Sequence, residues 1–342
     1  MRYSEVFIES MGYSLPETVL TSEEIENQLA PLYQKLKMEK GWLEAHTGVR
    51  ERRLWPLGTP PSTVAAQAGQ MALTAGNIAP EDVDLLIHTG VSRDALEPAT
   101  ASLVHQRLKL GTSCMVFDLS NACLGMLNAM SVAASMIESG AIRTALLVSG
   151  ENAAPLYNTT MKDLELDSSP EAFSQALASL TLGSGAVAYV LQHRSLARSG
   201  HRLLGSVVQA DSSGATLCYG DGTMQEMRMK TDTRGLLRKG LELSVSAWAR
   251  LKSVMDWNQS CPVKHIITHQ VSKTHQRKVF EVLGLDETKG ACEIEWLGNT
   301  GSVAAPLSLA LQVEKGLVKT GDLIAMLGIG SGINTQMMAI QW

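Results

Sequence analysis

The chain alternates short apolar runs with longer stretches of helical length. The runs DLLIHTG (84–90), CMVFDLS (114–120) and TALLVSG (144–150) are typical of buried strands. Longer stretches, such as Ser62 to Ala75 in the first half and Glu242 to Met255 in the second, have the length and composition of helices. This alternation predicts an α/β fold with mixed sheets and crossover helices.

Two long segments contain no charged residue at all. They run from Leu119 to Ile137, 19 residues, and from Trp296 to Val313, 18 residues. Both carry Asn, Ser and Gly, and the second contains Pro306, so they suit a lipid environment poorly. A helix that is apolar on every side in a soluble protein is buried on every side. We therefore expect no transmembrane segment, and instead a central layer of helices between sheets.

The two halves of the chain resemble each other. An offset of 178 aligns CMVFDLSNACLGM with CEIEWLGNTGSVA, which places Asn121 opposite Asn299 and Cys123 opposite Gly301. An offset of 180 aligns DLLIHTGVS (84–92) with KHIITHQVS (264–272). The chain therefore reads as two diverged copies of one α/β unit, and we predict halves at 1–192 and 193–342.

Two segments are candidates for the walls of a substrate site. Pro155 to Leu180 has no counterpart in the second copy and interrupts the first copy before its last strand. A long insertion of this kind favours a cap or a substrate tunnel. Ser212 to Thr231 is the second segment where we expect walls that set acyl-chain length.

Composition and charge exclude several classes of protein. Hydrophobic residues make up 45% and charged residues 18% of the 342 residues, which excludes a disordered chain. The net charge is −5 and the longest basic cluster is Arg50 to Arg53, which argues against nucleic-acid binding. The start, MRYSEVFIES, has no apolar run, so we expect no signal peptide and a cytoplasmic protein whose five cysteines stay reduced.

Cys123 is the cysteine best placed for chemistry. It follows the apolar run MVFDL and stands at the predicted start of the first uncharged helix. A helix N-terminus carries a partial positive charge, which would lower the pKa of the thiol and stabilise a thiolate. The alternative is a small core residue, because free cysteines are often buried. Cys114, Cys218, Cys261 and Cys292 lack this setting and form no CxxC pair, so we expect no zinc site.

His269 and Asn299 are the polar residues that would complete such a site. His265, His269 and His275 crowd into HIITHQVSKTH, but a strand leading into a polar turn does not give metal-ligand spacing, so no metal is expected. Each residue also has a structural interpretation. His269 could be a buried histidine with its hydrogen bonds satisfied, and Asn299 could be a helix cap. If an approximate twofold axis relates the halves, however, Cys123, His269 and Asn299 converge. Such a set suits thioester chemistry through a covalent intermediate.

The motifs around these residues resemble a known superfamily. TGVRERR (47–53), DLSNACLGM around Cys123, His269-Gln270, Gly298-Asn299-Thr300 and the closing GIGSG (328–332) are similar to the thiolase superfamily, in its 3-oxoacyl-ACP synthase III branch, over nearly the whole chain. The resemblance implies a five-layered α-β-α-β-α thiolase fold and a homodimer. It also implies Cys123 as nucleophile, His269 and Asn299 as the activating pair, and an oxyanion hole from the backbone of Cys123 and of Gly330 and Ser331.

The chain departs from the housekeeping synthases of that branch. Thr274 stands where they have an arginine used in carrier-protein docking, and HQVSKTH, RRLW (52–55) and SRDALEPATAS (92–102) resemble instead the OleA-type enzymes. Those enzymes join two fatty acyl-CoA molecules head to head in long-chain hydrocarbon biosynthesis, with downstream enzymes as possible partners. The resemblance implies that Glu97 enters the partner subunit's site as the base that removes an α-proton. The alternative for Glu97 is an electrostatic cap on a helix that begins at Pro98.

The sequence therefore predicts an acyltransferase with an acyl-Cys123 intermediate and acyl-CoA substrates. It needs no metal or redox cofactor for this reaction. Three alternatives stay open: a decarboxylating 3-oxoacyl synthase that uses malonyl-ACP, an acyl-thioester hydrolase, and a non-catalytic lipid-binding or scaffold paralogue.

Overall fold

The computed structural model describes residues 1–257 and 262–342, so Cys261 lies outside the described residues. The strands of this part of the chain are β1 (Val6–Ser14), β2 (Val19–Thr21), β3 (Glu51–Arg53), β4 (Leu85–His88), β5 (Met115–Asp118), β6 (Thr144–Glu151), β7 (Gly185–His193), β8 (Arg202–Ala210), β9 (Cys218–Gly222), β10 (Met227–Thr231), β11 (His265–Thr268), β12 (Leu323–Gly330) and β13 (Asn334–Gln341). The α-helices are α1 (Ser22–Gln28), α2 (Ala30–Leu36), α3 (Trp42–Thr47), α4 (Pro61–Gly76), α5 (Thr100–Leu108), α6 (Gly125–Glu138), α7 (Ala154–Leu166), α8 (Pro170–Ala176), α9 (Thr233–Val254), α10 (Lys273–Leu283), α11 (Ile294–Leu297) and α12 (Ala304–Glu314).

Nine strands form the main sheet in the order β11-β12-β13-β8-β1-β7-β6-β4-β5. In the first half, β5, β4 and β6 are parallel, and β7 and β1 follow antiparallel. In the second half, β11 and β12 are parallel, and β13 and β8 follow antiparallel. A parallel bridge between Ile266 and Gly290 occupies the position that β5 has beside β4. The two halves of the sheet thus share one topology and meet at β1 and β8, where Phe7 pairs with Arg202.

Three apolar clusters separate the layers. Side chains alternate across each strand, so Ala145 and Leu147 of β6 face the central cluster while Leu146 and Val148 face an outer one. The central cluster contains residues of α6 and α12, the first outer cluster those of α4 and α5, and the second outer cluster those of α9 and α10. The layers are therefore outer helices, the first half of the sheet, the central helices, the second half of the sheet and outer helices again. This order confirms the predicted five-layered α/β fold.

The two uncharged segments do supply the central helices, α6 and α12, but each helix is shorter than its segment. In α12 every residue from Ala304 to Leu311 is buried, as predicted. In α6 the prediction of burial on every side is wrong for a single chain, because Val132 is 37% exposed and Ser135 is also exposed. The predicted boundary between halves, at residues 192 and 193, falls at the end of β7 and stays a prediction.

A fourth apolar cluster lies outside these layers. It joins α1, α2 and α3 to α7 and α8, and the last two helices are formed by the insertion at 155–180. The hairpin of β9 and β10 lies next to α7 and is fixed to it by Arg228, whose Nε and Nη2 donate to Asp163 at 2.9 and 3.2 Å. Among the described residues, no helix combines the length and apolar character that crossing a membrane requires.

Candidate active site

The loop that carries Cys123 joins β5 to α6. Its backbone is left-handed at Ala122, with φ at 46°, a conformation that residues other than glycine rarely adopt. Asn121 holds the loop from two sides, because its Nδ2 donates to Asn128 Oδ1 at 2.6 Å and its Oδ1 accepts from Asn334 Nδ2 at 3.1 Å. Cys123 comes two residues before α6, so the prediction that it starts the helix is wrong by two residues.

Cys123 as a whole residue is half-buried. Burial, then the Glu151 carboxylate and the Cys218 thiol, raise the pKa of Cys123 to about 12. The sequence predicted a lowered pKa, and that prediction is wrong. Loss of water and the neighbouring negative charge outweigh the partial charge of the helix N-terminus. At neutral pH the sulfur keeps its proton until a base accepts it.

His269 directly follows β11, and its backbone N–H donates to Leu327 O of β12 at 2.8 Å. The side chain is 3% exposed, and its Nδ1 has no hydrogen-bond partner among the described residues. Burial, and after it the His275 imidazole, lower the pKa of His269 to about 3. The imidazole is therefore neutral at physiological pH, and a neutral ring can accept a proton or donate a hydrogen bond.

The other two histidines of HIITHQVSKTH have separate surroundings. His265 Nε2 lies 3.0 Å from Asp322 Oδ2, at the opposite end of β11 from His269. Burial lowers the pKa of His275 to about 4. Within residues 1–257 and 262–342 there is no group of three His, Cys, Asp or Glu side chains placed to hold a metal ion.

Asn299 lies beside one backbone segment of the first half, in a parallel bridge with Leu182. Its N–H donates to Thr181 O at 2.9 Å, and its carbonyl oxygen accepts from Gly183 N at 2.9 Å. The approach is so close that a Cβ at Gly183 would lie 1.9 Å from Leu297 O. The side-chain Oδ1 accepts from Gly301 N at 3.0 Å, so Asn299 does cap the turn before α12. This contact leaves the Nδ2 group as the donor available to a ligand.

Gly330 ends β12 directly beside the nucleophile loop. A Cβ at this glycine would lie 3.7 Å from Cys123 N and 3.1 Å from Leu124 Cγ. The backbone nitrogen of Cys123 and the end of β12 therefore lie close together, and the oxyanion hole stays a prediction. Ser331 is the next residue, and its carbonyl oxygen accepts from Asn334 Nδ2 at 3.2 Å.

Strand β12 also connects the predicted nucleophile with His269 of the predicted activating pair. Gly330 contacts the backbone at Cys123, and Leu327 accepts the hydrogen bond from His269. Three residues along a strand span about 10 Å, so both groups lie at the same end of this strand. Glu151 connects the turn of Asn299 with Cys123. Its carboxylate lies against Gly301, which is in that turn, and its charge acts on the Cys123 thiol.

Glu97 lies in an exposed loop between β4 and α5. It makes no hydrogen bond or ion pair with the described part of its own chain, and the preceding Leu96 is 94% exposed. The base of the loop is fixed, because Asp94 accepts from Ser62 N at 2.8 Å and from Ser62 Oγ at 2.6 Å. Helix α5 begins at Thr100, so the alternative in which Glu97 caps a helix starting at Pro98 is wrong in its boundary.

Sequence reasoning missed two buried carboxylates that hold the site together. Glu151 ends β6 and is 6% exposed. Glu293 is 3% exposed, and it exchanges hydrogen bonds with Gln270, the residue after His269, at 2.9 and 3.2 Å. A signal existed, since each glutamate borders a strand or helix next to a motif, as in TALLVSGE and CEIEWLGN.

Comparison with known proteins agrees with this geometry. Residues 117–212 match the sequence model of 3-oxoacyl-[acyl-carrier-protein] synthase III, and residues 259–342 match that of its C-terminal part. The acyl-CoA:acyl-CoA alkyltransferases of Shewanella oneidensis and Xanthomonas campestris are 36% and 38% identical to this chain, over 100% of each sequence. The chain belongs to the OleA family.

A solved structure of an OleA enzyme shows the same fold. A cysteine-to-serine variant of Xanthomonas campestris OleA, with bound lauric acid and lauroyl-CoA, superimposes with a TM-score of 0.93 at 37% identity, covering 99% of this chain and 100% of that one. Membership in the OleA family confirms the predicted resemblance to the thiolase superfamily and to its 3-oxoacyl-ACP synthase III branch. The protein is an acyltransferase.

Proposed function

We propose that this protein joins two fatty acyl-CoA molecules head to head by a non-decarboxylative Claisen condensation, giving a 2-alkyl-3-oxo acid. The observation that carries the proposal is the full-length similarity to enzymes named acyl-CoA:acyl-CoA alkyltransferase. The placement of Cys123 against the end of β12, with the backbone of neutral His269 hydrogen-bonded to the same strand, supports it. A product of this kind suits long-chain hydrocarbon biosynthesis, in which later enzymes would remove its oxygen atoms.

The first half-reaction forms an acyl-enzyme. The Cys123 sulfur attacks the thioester carbonyl of one acyl-CoA while neutral His269 accepts its proton. The N–H groups of Cys123 and of the Gly330–Ser331 turn stabilise the oxyanion. The CoA thiolate then leaves, takes the proton from His269, and the acyl group stays on the sulfur.

The second half-reaction forms the carbon–carbon bond. Glu97 of the partner subunit removes an α-proton from a second acyl-CoA, and His269 and Asn299 Nδ2 bind the enolate oxygen. The α-carbon attacks the acyl-Cys123 carbonyl, and the Cys123 thiolate leaves and regains a proton. Hydrolysis of the remaining CoA thioester releases the acid. Every electron pair and proton comes from the two substrates, water and these side chains, so we propose that no metal or redox cofactor takes part.

The homodimer is a further part of the proposal. Strand β5 ends the nine-stranded sheet, and among the described residues it pairs only with β4. Met115 of this strand is 50% exposed, and Val132 of α6 is 37% exposed. An edge strand with apolar side chains is normally covered by another chain. A second copy bound at β5 would also give the exposed Glu97 loop a site to enter.

The products formed from myristoyl-CoA alone test the proposed function. We expect a 3-oxo acid that contains two chains, detected by mass spectrometry, and no such product from the Cys123→Ser variant. Free myristate without the two-chain acid would support the hydrolase instead. Turnover only when malonyl-ACP is added would support a decarboxylating synthase. Tight acyl-CoA binding without any product would support a lipid-binding paralogue.

The cellular location follows from the substrates. Acyl-CoA is made and used in the cytoplasm, and the four cysteines in the described part of the chain are all free thiols. We propose that the protein acts there.

A further inference from the structure

Glu151 is a buried carboxylate that the proposed mechanism does not use. It ends β6, whose other seven residues are uncharged, and only 6% of it is exposed. Within the described part of the chain, no Lys, Arg or His side chain lies within ion-pair distance of it. Burial of an unpaired carboxylate is unfavourable unless hydrogen bonds replace the lost water. The position of Glu151 therefore has to be explained by the groups that donate hydrogen bonds to it.

The hydrogen bonds of Glu151 come from two separate segments. Val91 N donates to Oε1 and Ser92 N donates to Oε2, both at 3.0 Å. From the other side, Ser302 Oγ lies 2.9 Å and Ser302 N 3.4 Å from Oε1. Two segments that are distant in sequence are therefore held by one carboxylate.

Both segments carry a residue of the proposed site. Val91 and Ser92 begin the loop that carries Glu97, and Asp94 fixes the same loop to Ser62. Ser302 belongs to the turn that contains Asn299, because Asn299 Oδ1 accepts from the N–H of Gly301. Glu151 thus contacts both the Glu97 loop, which is proposed to enter the partner subunit's site, and the Asn299 turn, which belongs to the site of its own subunit.

The duplication of the fold explains how the space for this carboxylate arises. In the repeat, Gly301 is the counterpart of Cys123, and the last residue of β6, Glu151, is the counterpart of the last residue of β12, Gly330. In one half, Gly330 lies against Cys123. In the other half, the carboxylate lies against Gly301, where a Cβ would be 3.1 Å from Oε1. The space beside Gly301, the counterpart of the nucleophile, is therefore occupied by the side chain of Glu151.

We infer that Glu151 is a positioning residue that couples the Glu97 loop of each subunit to the Asn299 turn of the same subunit, and so links the two active sites of the dimer. The inference rests on the proposed condensation and on the proposed dimer. Glu151 also acts on the nucleophile, since its charge contributes to the high pKa of Cys123. Removal of the charge would therefore ease ionisation of the thiol while it disturbs the carbon–carbon bond-forming step.

The Glu151→Gln variant tests this role, with Glu138→Gln as control. Glutamine has the same shape, but its NH₂ group would face one of the N–H donors. Glu138 also accepts backbone N–H groups, from Ser4 and Glu5, but it lies on the surface away from the site. We expect condensation of myristoyl-CoA to fall at least tenfold more than acylation of Cys123, which is measured by intact mass. The control should change neither rate.

A second readout separates positioning from mere folding. The rate of Cys123 alkylation by iodoacetamide, followed by peptide mapping across pH, should shift to lower pH in Glu151→Gln. Ser302→Ala keeps the charge, so it should leave the pH profile unchanged and still reduce condensation more than acylation. An unchanged profile in Glu151→Gln, or equal losses of acylation and condensation, would overturn the inference. Alkylation requires no condensation, so it remains a test even if the proposed function fails.

Mixed dimers test the coupling between subunits. When Glu151→Gln and Cys123→Ser are placed in the same subunit, the only active nucleophile belongs to the unmodified partner, whose own Asn299 turn is intact. We expect this dimer to condense at least several-fold more slowly than a dimer in which one subunit carries Cys123→Ser alone. Equal rates would show that Glu151 serves only its own subunit, and would overturn the inference.

Discussion

The backbone N–H of Gly301 binds Asn299 Oδ1, so only the Nδ2 group of this side chain remains for a substrate oxygen. Neutral His269 supplies the second donor, because its pKa is lowered to about 3. Two neutral donors suit an enolate, whose charge develops only during the reaction. At the residue scale, the proposed site therefore binds charge that forms on the substrate.

An Asn299→Asp variant tests this donor. Aspartate keeps an oxygen for Gly301 and replaces the Nδ2 donor by a negative oxygen. We expect condensation to fall about 100-fold or more, the typical loss for one oxyanion donor, while acylation of Cys123 falls less. Intact mass and product analysis measure the two steps. Asn77→Asp, at an exposed helix end, is the control, and an equal loss of both steps would contradict the assigned role.

Residue type and motif were enough to predict Cys123, His269 and Asn299 as the candidate site, and the structure places these residues on adjoining elements. The pKa of Cys123 could not be predicted in this way, because it depends on burial and on Glu151, which arrives from another strand. The helix boundary near Glu97 was missed for a local reason. Pro98 is compatible with a helix start, but the loop continues to Thr100.

At the element scale, the segment from β5 through the Cys123 loop to α6 is the central unit of the site. The sequence predicted a helix that starts at Cys123, yet α6 begins only at Gly125. The reason is the left-handed backbone at Ala122, which an alanine in the sequence does not predict. The side chain of Asn121 also holds the loop by its hydrogen bond to Asn128. Burial of α12 was predicted well because its apolar pattern is uninterrupted.

The exposed edge of β5 gives a test of the dimer. Met115 N and Leu119 N donate to β4, so by alternation the N–H of Val116 points away from β4. A Val116→Pro variant removes that N–H without loss of a bond within the chain. We expect a monomer by light scattering and little condensation, whereas Val116→Ala stays dimeric. A dimeric proline variant with full activity would exclude β5 as the interface.

At the scale of the whole molecule, the two halves supply different groups to one site. The first half supplies Cys123, and the second supplies His269, Asn299 and the end of β12. The proposed dimer adds Glu97 from the partner subunit. Neither half alone contains the complete proposed set, so we propose that activity requires both halves of the chain and the dimer.

Mixing two inactive variants tests whether Glu97 acts across the dimer. In a mixed dimer of Glu97→Gln and Cys123→Ser, one site would combine an intact Cys123 with an intact Glu97 of the partner subunit. Half of randomly mixed dimers are hybrids with one of two sites active, so condensation should recover to about a quarter of the wild-type rate. The separate variants serve as controls. No recovery in a verified hybrid would show that Glu97 acts within its own subunit or not at all.

Stability should decrease in mild acid because three buried histidines resist protonation. Burial lowers the pKa of His88 and His275 to about 4 and that of His269 to about 3. Between these values and the unfolded value near 6.5, the unfolded chain binds protons and the folded chain does not. Each histidine therefore costs about 2 kcal/mol of stability at pH 5 relative to pH 7 or above. Urea unfolding at both pH values measures this, and equal stability would contradict the burial.

A chase experiment tests the central claim, that an acyl group on Cys123 is attacked by the α-carbon of a second acyl-CoA. The enzyme is loaded with myristoyl-CoA, freed of unbound substrate, mapped by peptide mass spectrometry and then given lauroyl-CoA. We predict myristoyl on Cys123, and then a mixed 3-oxo acid whose ketone comes from the myristoyl group and whose branch at the second carbon comes from lauroyl. Myristoyl on another residue, or release of free myristate alone after the chase, would contradict the account.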